Sequence, residues 1–362
     1  MILVSTQCFP PATGGIETLM YELSSALCAE GLEVLVYADG KNGGTESLPF
    51  ALKRYSGIKP WRRLRKARDI NQLIKLQRIR GLITDSWKSL EYLETSRVPV
   101  VLCLAHGSEL PLDCPERKAR RIILSLDKAT VIVANSSFTA GKLRALKAQM
   151  ERVQIIHPGT TPAPISDPGI DSLVQSELEG YSPVLVTVAS LDLRKGHQRI
   201  LGILPELVQT YPKLLYLIIG DGPAHEPLVK MTREFGLERH VRFTGALYGQ
   251  MKHAYLAQSD LFVMPCDSYG EQVEGFGMVY IEAAAHGLPC IAGNSGGSVE
   301  AVLHEETGLV CCAESSTDLL AAVRRLLLDT TLYQRLSNNA RIWATNFDWS
   351  QVIRRYVKLL DL

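Results

Sequence analysis

Short apolar runs recur along the whole chain, and each gives way to a glycine- or proline-marked turn and then to a stretch of helical period. The runs at 1–8, 33–37, 98–105, 131–135, 184–189, 214–219, 241–244, 261–264 and 290–292 are nearly continuous, with little alternation of apolar and polar positions. Strands that show this pattern are covered on both faces, as in parallel sheets flanked by helices. The helical stretches run over 18–30 and 198–211, from about 278, from near 299, and over 349–360. Strand and helix alternate in both halves of the chain, so the pattern predicts an α/β protein with two doubly wound, Rossmann-like domains. The Pro/Asp-rich stretch 159–171, after H-P-G-T, marks the linker. The expected division is 1–164 and 165–346, with 347–362 a final helix that returns to the first domain.

Length agrees with two domains, since 362 residues suffice for two ordinary cores. With 46% hydrophobic and 21% charged residues the composition is globular. No apolar run reaches the eighteen or so residues of a membrane span. M-I-L-V-S-T-Q-C-F has no basic leader and is expected to be a first strand. Cysteines 8, 28, 103, 114, 266, 290, 311 and 312 show neither C-x-x-C nor zinc spacing, and are expected to be mostly buried thiols. The resulting expectation is a soluble cytoplasmic protein.

Charge adds an asymmetry that the net value of +1 hides. Residues 1–164 carry 23 Lys+Arg against 15 Asp+Glu, and the remainder 16 against 23. Eleven of those cations lie between Lys53 and Arg80, where Asp69 is the one acid. Trp61, Leu64, Ala67, Ile70 and Ile74 recur there at helical spacing, with arginines on the other face. Trp61, Arg62, Arg63, Arg65 and Lys66 are therefore candidates for contact with an anionic membrane surface. The same pattern fits a solvated helix packed on its own domain. No helix-turn-helix, RNA-binding aromatic pattern or zinc knuckle accompanies the charge, so nucleic acid is not expected as a partner.

Candidate chemistry centres on Ser268–Glu282, S-Y-G-E-Q-V-E-G-F-G-M-V-Y-I-E. Gly275, Phe276 and Gly277 break the chain, and a helix begins at about Met278. Helix-start N–H groups lack partners and favour anions, and glycine lets such backbone approach a phosphate. Helical rise puts Glu274 and Glu282 up to about 12 Å apart, enough to bracket a diphosphate between a hexose and a ribose. Two acids at that spacing also fit a plain loop-to-helix junction. Arg194-Lys195, after a strand, is a compact cation pair suited to a departing diphosphate. Gly14-Gly15 precede the first helix, and His106-Gly107 follow a strand, where ligands bind in open α/β sheets. Gly220 and Gly222 invite a dinucleotide reading, but His225 stands where the third glycine belongs, so nicotinamide binding is rejected. No D-x-D occurs, and no metal or other cofactor is expected.

These segments together resemble glycosyltransferase family 4. V-E-G-F-G-M-V-Y-I-E-A-A-A-H-G-L-P-C-I-A-G-N-S-G-G-S-V-E-A-V, F-P-P-x-x-G-G-I, A-H-G-S-E and R-K-G all match, over nearly the whole chain. Within the family the chain is most similar to the phosphatidylinositol mannoside mannosyltransferases, which use GDP-mannose. The resemblance implies the GT-B fold, with two Rossmann-like domains facing across a cleft, and a retaining, metal-independent transfer of a hexose from a nucleotide sugar. It implies that Gly15 and Arg194-Lys195 face the donor diphosphate, that Glu274 holds sugar hydroxyls and Glu282 the ribose. It also implies that His106 lies beside the transferred sugar and Glu109 shapes the acceptor side. Ser190 departs from the pattern, because the family usually carries an arginine there. A glycolipid or lipid-linked saccharide is the implied acceptor, with the protein peripheral on the inner face of a membrane. Alternatives are a UDP-sugar transferase of exopolysaccharide or lipopolysaccharide synthesis, a sugar-nucleotide epimerase, and a non-catalytic nucleotide-sugar binder. A phosphorylase would need a cofactor-lysine motif that is not found.

Overall fold

The computed structural model describes residues 1–41, 48–161, 166–270 and 272–361. The expected boundary at 164/165, part of the 159–171 linker, and Glu271 lie outside those residues. The chain divides into two units, Met1–Thr161 with Phe347–Leu362, and Pro162–Asn346.

The first unit is built on a seven-stranded parallel sheet. Its strands are β1 (Ile2–Thr6), β2 (Val34–Asp39), β3 (Ala51–Tyr55), β4 (Gly81–Thr84), β5 (Val100–Ala105), β6 (Val131–Ala134) and β7 (Val153–Ile155), in the order β3-β2-β1-β4-β5-β6-β7. β1 lies between β2 and β4, with Ile2 beside both Val34 and Gly81. Every residue of β1 and β4 is buried, which is why their sequences do not alternate. The order reverses between β1 and β4, so connections leave those neighbours toward opposite faces. The chain ends that diverge there leave an opening in which ligands of this fold class bind.

The last helix, Trp349–Leu359, belongs to this unit and packs on the helix Gly15–Ala29. Trp349 Nε1 donates to Glu22 Oε2 at 2.8 Å, and Thr160 N donates to Phe347 O at 2.7 Å. A Cβ on Gly159 would sit 2.5 Å from the Trp349 ring, so only glycine allows the indole to lie there.

The second unit repeats the plan with six parallel strands: β8 (Val184–Val188), β9 (Leu215–Ile219), β10 (Val241–Gly245), β11 (Leu261–Met264), β12 (Cys290–Gly293) and β13 (Gly308–Cys311). Their order is β10-β9-β8-β11-β12-β13, reversing between β8 and β11. Leu185, Tyr216, Ile218, Leu261, Val263 and Ile291 join Ile200, Leu204 and Leu207 of the helix His197–Thr210 in one core. Each such side chain contributes about 1.5–3 kcal/mol on burial.

Two expectations change. The stretch to 171 is not all linker, because a helix, Pro168–Leu178, begins inside it; Asp167 caps it by accepting from Gly169 N and Ile170 N. The cysteines divide evenly: 103, 266, 290 and 311 are buried, and 8, 28, 114 and 312 half-buried, all eight free thiols. No helix among the described residues is long and apolar enough to cross a membrane.

Candidate active site

In the second unit the reversal of strand order decides which residues meet. Arg194 and Lys195 lie in the connection after β8, and Glu274 in the one after β11, so residues 80 positions apart converge at neighbouring strand ends. A 3-10 turn, Leu193–Lys195, holds the two cations, and Gly196 ends it in the left-handed region at φ 83°. Arg194 O accepts from Asp267 N at 2.9 Å, which ties the turn to the segment after β11.

Glu274 is braced from its other side. Its carbonyl accepts from Gly297 N at 2.8 Å, and a Cβ on Gly297 would stand 2.1 Å from Gly275 O. Gly297 is thus required for the turn after β12 to press on the Gly275–Phe276 backbone. Phe276 is buried, and Gly277, at φ 89°, caps the helix Met278–Ala285. Backbone N–H groups of that first turn carry the helix's partial positive charge.

Glu274 Oε2 accepts from Arg194 Nη1 at 3.1 Å and from Lys195 Nζ. The side chains of Arg194, Lys195 and Glu274 keep 21%, 10% and 14% of their exposure, so this is a half-closed ionic group. Burial alone would raise the Glu274 carboxyl, but Lys195 and Arg194 overcome it and hold the group below its ordinary value of 4.5. Asp192 adds a second acid, 3.5 Å from Arg194 Nε. Two cations therefore face two carboxylates, and the group is formally neutral. That revises the picture of a bare cationic pair, because Arg194 and Lys195 are already engaged by Glu274. Ser190 is exposed, and its short side chain puts no charge at the position where an arginine was expected.

Glu282, on the helix Met278–Ala285, pairs with a different cation, Lys252 Nζ at 2.7 Å. Beside it, His253 Nδ1 and His286 Nε2 are 2.8 Å apart and share a hydrogen bond. Burial, then the neighbouring His253, depresses His286 to about 4. His197 is fully buried with neither ring nitrogen hydrogen-bonded among the described residues, and burial, aided by Lys195, lowers it to about 3.

The first unit places His106 directly after β5, 8% exposed. Its ring Nε2 is 2.9 Å from Asp85 O, and its backbone N donates to Glu109 Oε1 at 2.8 Å. Glu109 thus fixes the His106 backbone. Gly14 and Gly15 open the helix Gly15–Ala29, and both are exposed. Glu17 Oε2 lies 2.3 Å from where a Gly14 Cβ would be, so a carboxylate already covers that helix start.

The basic helix, Lys59–Leu76, corrects the proposed membrane contact. Lys66 is buried at 3% exposure, its Nζ 2.8 Å from Asp39 Oδ1 and 2.6 Å from Thr6 O. Arg62 pairs with the same Asp39 at 2.9 Å, and Arg63 with Glu91 at 2.8 Å. These three cations serve the fold and are not free for lipid. The apolar stripe also splits, since Ala67, Ile70 and Ile74 enter the core while Trp61 and Leu64 remain 73% and 46% exposed. Trp61, Ile58 and Leu64 line an open hollow of about 500 Å³ with Arg65 and Arg68.

Local pattern did not single out Asp192, Lys252 or Asp85. Asp192 stood in S-L-D-L-R-K, two residues before Arg194, while Lys252 and Asp85 act through tertiary contacts that spacing does not carry.

Comparison with known proteins gives the family of the chain. Residues 13–163 match the family described as Glycosyltransferase Family 4, and residues 171–343 match Glycosyl transferases group 1. The chain belongs to these two-domain glycosyltransferases. It is 32% identical over 252 residues to the GDP-mannose-dependent alpha-(1-6)-phosphatidylinositol monomannoside mannosyltransferase of Mycobacterium tuberculosis, covering 68% of this chain and 65% of the relative. The match therefore spans just under two-thirds of that relative's length. To the GDP-mannose-dependent monoacylated alpha-(1-6)-phosphatidylinositol monomannoside mannosyltransferase of Corynebacterium glutamicum it is 26% identical over 370 residues, 96% of this chain and 94% of the relative. The crystal structure of Anabaena Alr3699/HepE in complex with UDP and glucose has a TM-score of 0.81 at 17% identity, covering 100% and 99% of the two chains. That likeness shows the GT-B fold.

Proposed function

We propose that the protein is a retaining hexosyltransferase that moves mannose from GDP-mannose to a glycolipid or lipid-linked saccharide. The convergence of Arg194, Lys195 and Glu274 at the second sheet's reversal point supports the reading most. Such a group supplies both functions a sugar nucleotide needs: cations for the diphosphate and a carboxylate for sugar hydroxyls. The choice of GDP-mannose draws on the names of the Mycobacterium and Corynebacterium relatives.

In the proposed reaction the bond from the anomeric carbon to the phosphate oxygen breaks, and the acceptor oxygen bonds to that carbon on the same face. The departing phosphate takes the acceptor's proton. Arg194, Lys195 and the start of the helix Met278–Ala285 stabilise the charge that grows on the leaving group. Glu282 holds the ribose, Gly15 approaches the diphosphate, and His106 contacts the sugar. Trp61, Ile58, Leu64, Arg65 and Arg68 rest on an anionic membrane that carries the acceptor.

The test is a thermal-shift panel of GDP, UDP and ADP with their sugars, followed by turnover of the stabilising donor with and without phosphatidylinositol mannoside. GDP-mannose should stabilise most and be transferred. Preference for a UDP-sugar would move the donor assignment to the exopolysaccharide or lipopolysaccharide class. Turnover of donor to an epimer without acceptor, or binding with no turnover, would overturn the transferase reading.

A further inference from the structure

Asp85 follows β4, at the reversal point of the first sheet, and is 2% exposed. Its carboxylate Oδ2 accepts from three donors of the β1 connection: Gln7 N at 2.7 Å, Thr6 Oγ1 at 2.9 Å and Cys8 N at 3.3 Å. Ser86 Oγ donates to Oδ1 at 3.2 Å. Its backbone carbonyl reaches the other way, to His106 Nε2 at 2.9 Å after β5. One residue thus binds the ends of three neighbouring strands, β1, β4 and β5.

The chemistry of the second contact is restrictive. A carbonyl oxygen only accepts, so Nε2 of the neutral ring must carry the proton and Nδ1 must keep its lone pair. His106 is therefore held as a hydrogen-bond acceptor at Nδ1, suited to a sugar hydroxyl. The first contact fixes where the segment leading to Gly14-Gly15 leaves the sheet. Lys66 Nζ reinforces it by donating to Thr6 O at 2.6 Å. With burial the larger cause and Asp85 the next, the Cys8 thiol is pushed up to about 12 and stays neutral.

We propose that Asp85 is a positioning residue for sugar transfer: its carboxylate sets the exit of the β1 connection and, by anchoring the residue, holds in place the backbone carbonyl that fixes the tautomer of His106. This rests on the proposed roles of His106 and Gly15, so the experiment separates the two. Wild type, Asp85→Asn, Asp85→Ala and His106→Ala are compared for kcat and donor KM with GDP-mannose, for Tm, and for the His106 ring by nitrogen-15 NMR. Wild type should show the Nε2–H form of His106. Asp85→Ala keeps the backbone carbonyl but takes the acceptor from Gln7 N, while Cys8 N retains Thr6 Oγ1 at 3.0 Å. With its carboxylate anchor gone the carbonyl should lose its fixed place against Nε2, lowering kcat/KM about 100-fold and showing both tautomers. Asp85→Asn, which keeps one acceptor oxygen, should lose about tenfold.

If Asp85→Ala folds with unchanged kcat and KM and a single Nε2–H form, the proposal fails. A fall in Tm alone, with kinetics and tautomer unchanged, also overturns it by reducing Asp85 to a structural residue. Should Asp85→Ala not fold, Asp85→Asn decides by the same readouts. If His106→Ala retains full activity, the parent reading of His106 fails instead.

Discussion

Replacing Glu274 by glutamine should tighten the binding of free GDP while abolishing sugar transfer. Glu274 now engages Arg194 at 3.1 Å and Lys195 in direct contact. Glutamine keeps the size but removes the negative charge, leaving the two cations, among the described residues, with Asp192 beside Arg194. Removing one partner from a fully buried pair costs about 3–5 kcal/mol. With 10–21% of these side chains still exposed, screening lowers that to roughly 2–3 kcal/mol. At about 2–4 °C per kcal/mol, the ligand-free Tm should fall by about 4–12 °C.

The nearest unit of charge of a diphosphate on the far side of the cations would lie about 7 Å from Glu274, where its repulsion at an effective dielectric of about 20–40 is roughly 1–2 kcal/mol. Its removal should strengthen GDP binding about 5–30-fold. Calorimetric titration with GDP, thermal unfolding with and without GDP, and turnover of GDP-mannose read out all three effects. Weaker GDP binding together with an unchanged Tm would refute the reasoning, because the carboxylate would then neither hold nor compete for the cations.

Acid should weaken the fold, partly through His197. Its folded pKa of about 3 lies below the ordinary 6.5, so the unfolded chain takes up a proton that the folded chain resists. The contribution is complete above about pH 6.5 and fades as pH falls toward 3, with His286 acting in the same direction. Between pH 7 and pH 5, urea unfolding of His197→Leu should lose about 2 kcal/mol less than wild type; parallel slopes would exclude this cause. Glu282→Ala should raise the KM for GDP-mannose about tenfold with little change in kcat, and steady-state kinetics at saturating acceptor measure it. Trp61→Ser with Arg65→Gln and Arg68→Gln should weaken sedimentation with anionic liposomes at low salt, whereas Arg62→Gln should lower Tm through loss of its Asp39 partner.

Burial on both faces made most central strands legible, because it selects continuous apolar runs such as L-Y-L-I-I of β9. The four-residue β4, G-L-I-T, is buried too and β13, G-L-V-C, nearly so, but both went unread because each is short and opens on a glycine. Edge position hid β3, since A-L-K-R-Y carries two cations on exposed or half-exposed positions and pairs on one side only, with β2. The Pro168–Leu178 helix was lost in a proline- and aspartate-rich stretch, although D-P-G there is its own cap and first turn. Glycines and the R-K-G turn marked the second unit's site, but neither spacing nor motif could say that Arg194, Lys195 and Glu274 neutralise one another. That follows from the β8–β11 reversal, a property of topology. Helical period likewise gave the Lys59–Leu76 helix but not its rotation, which sends Trp61 outward and Lys66 to Asp39.

The most direct measurement of the central claim is the crystal structure of the protein with GDP bound. The account predicts phosphate oxygens within hydrogen-bonding distance of Lys195 Nζ and the Arg194 guanidinium, beside the Gly275-Phe276-Gly277 backbone, with the ribose at Glu282. A nucleotide bound elsewhere, with Glu274 still holding both cations undisturbed, would contradict it.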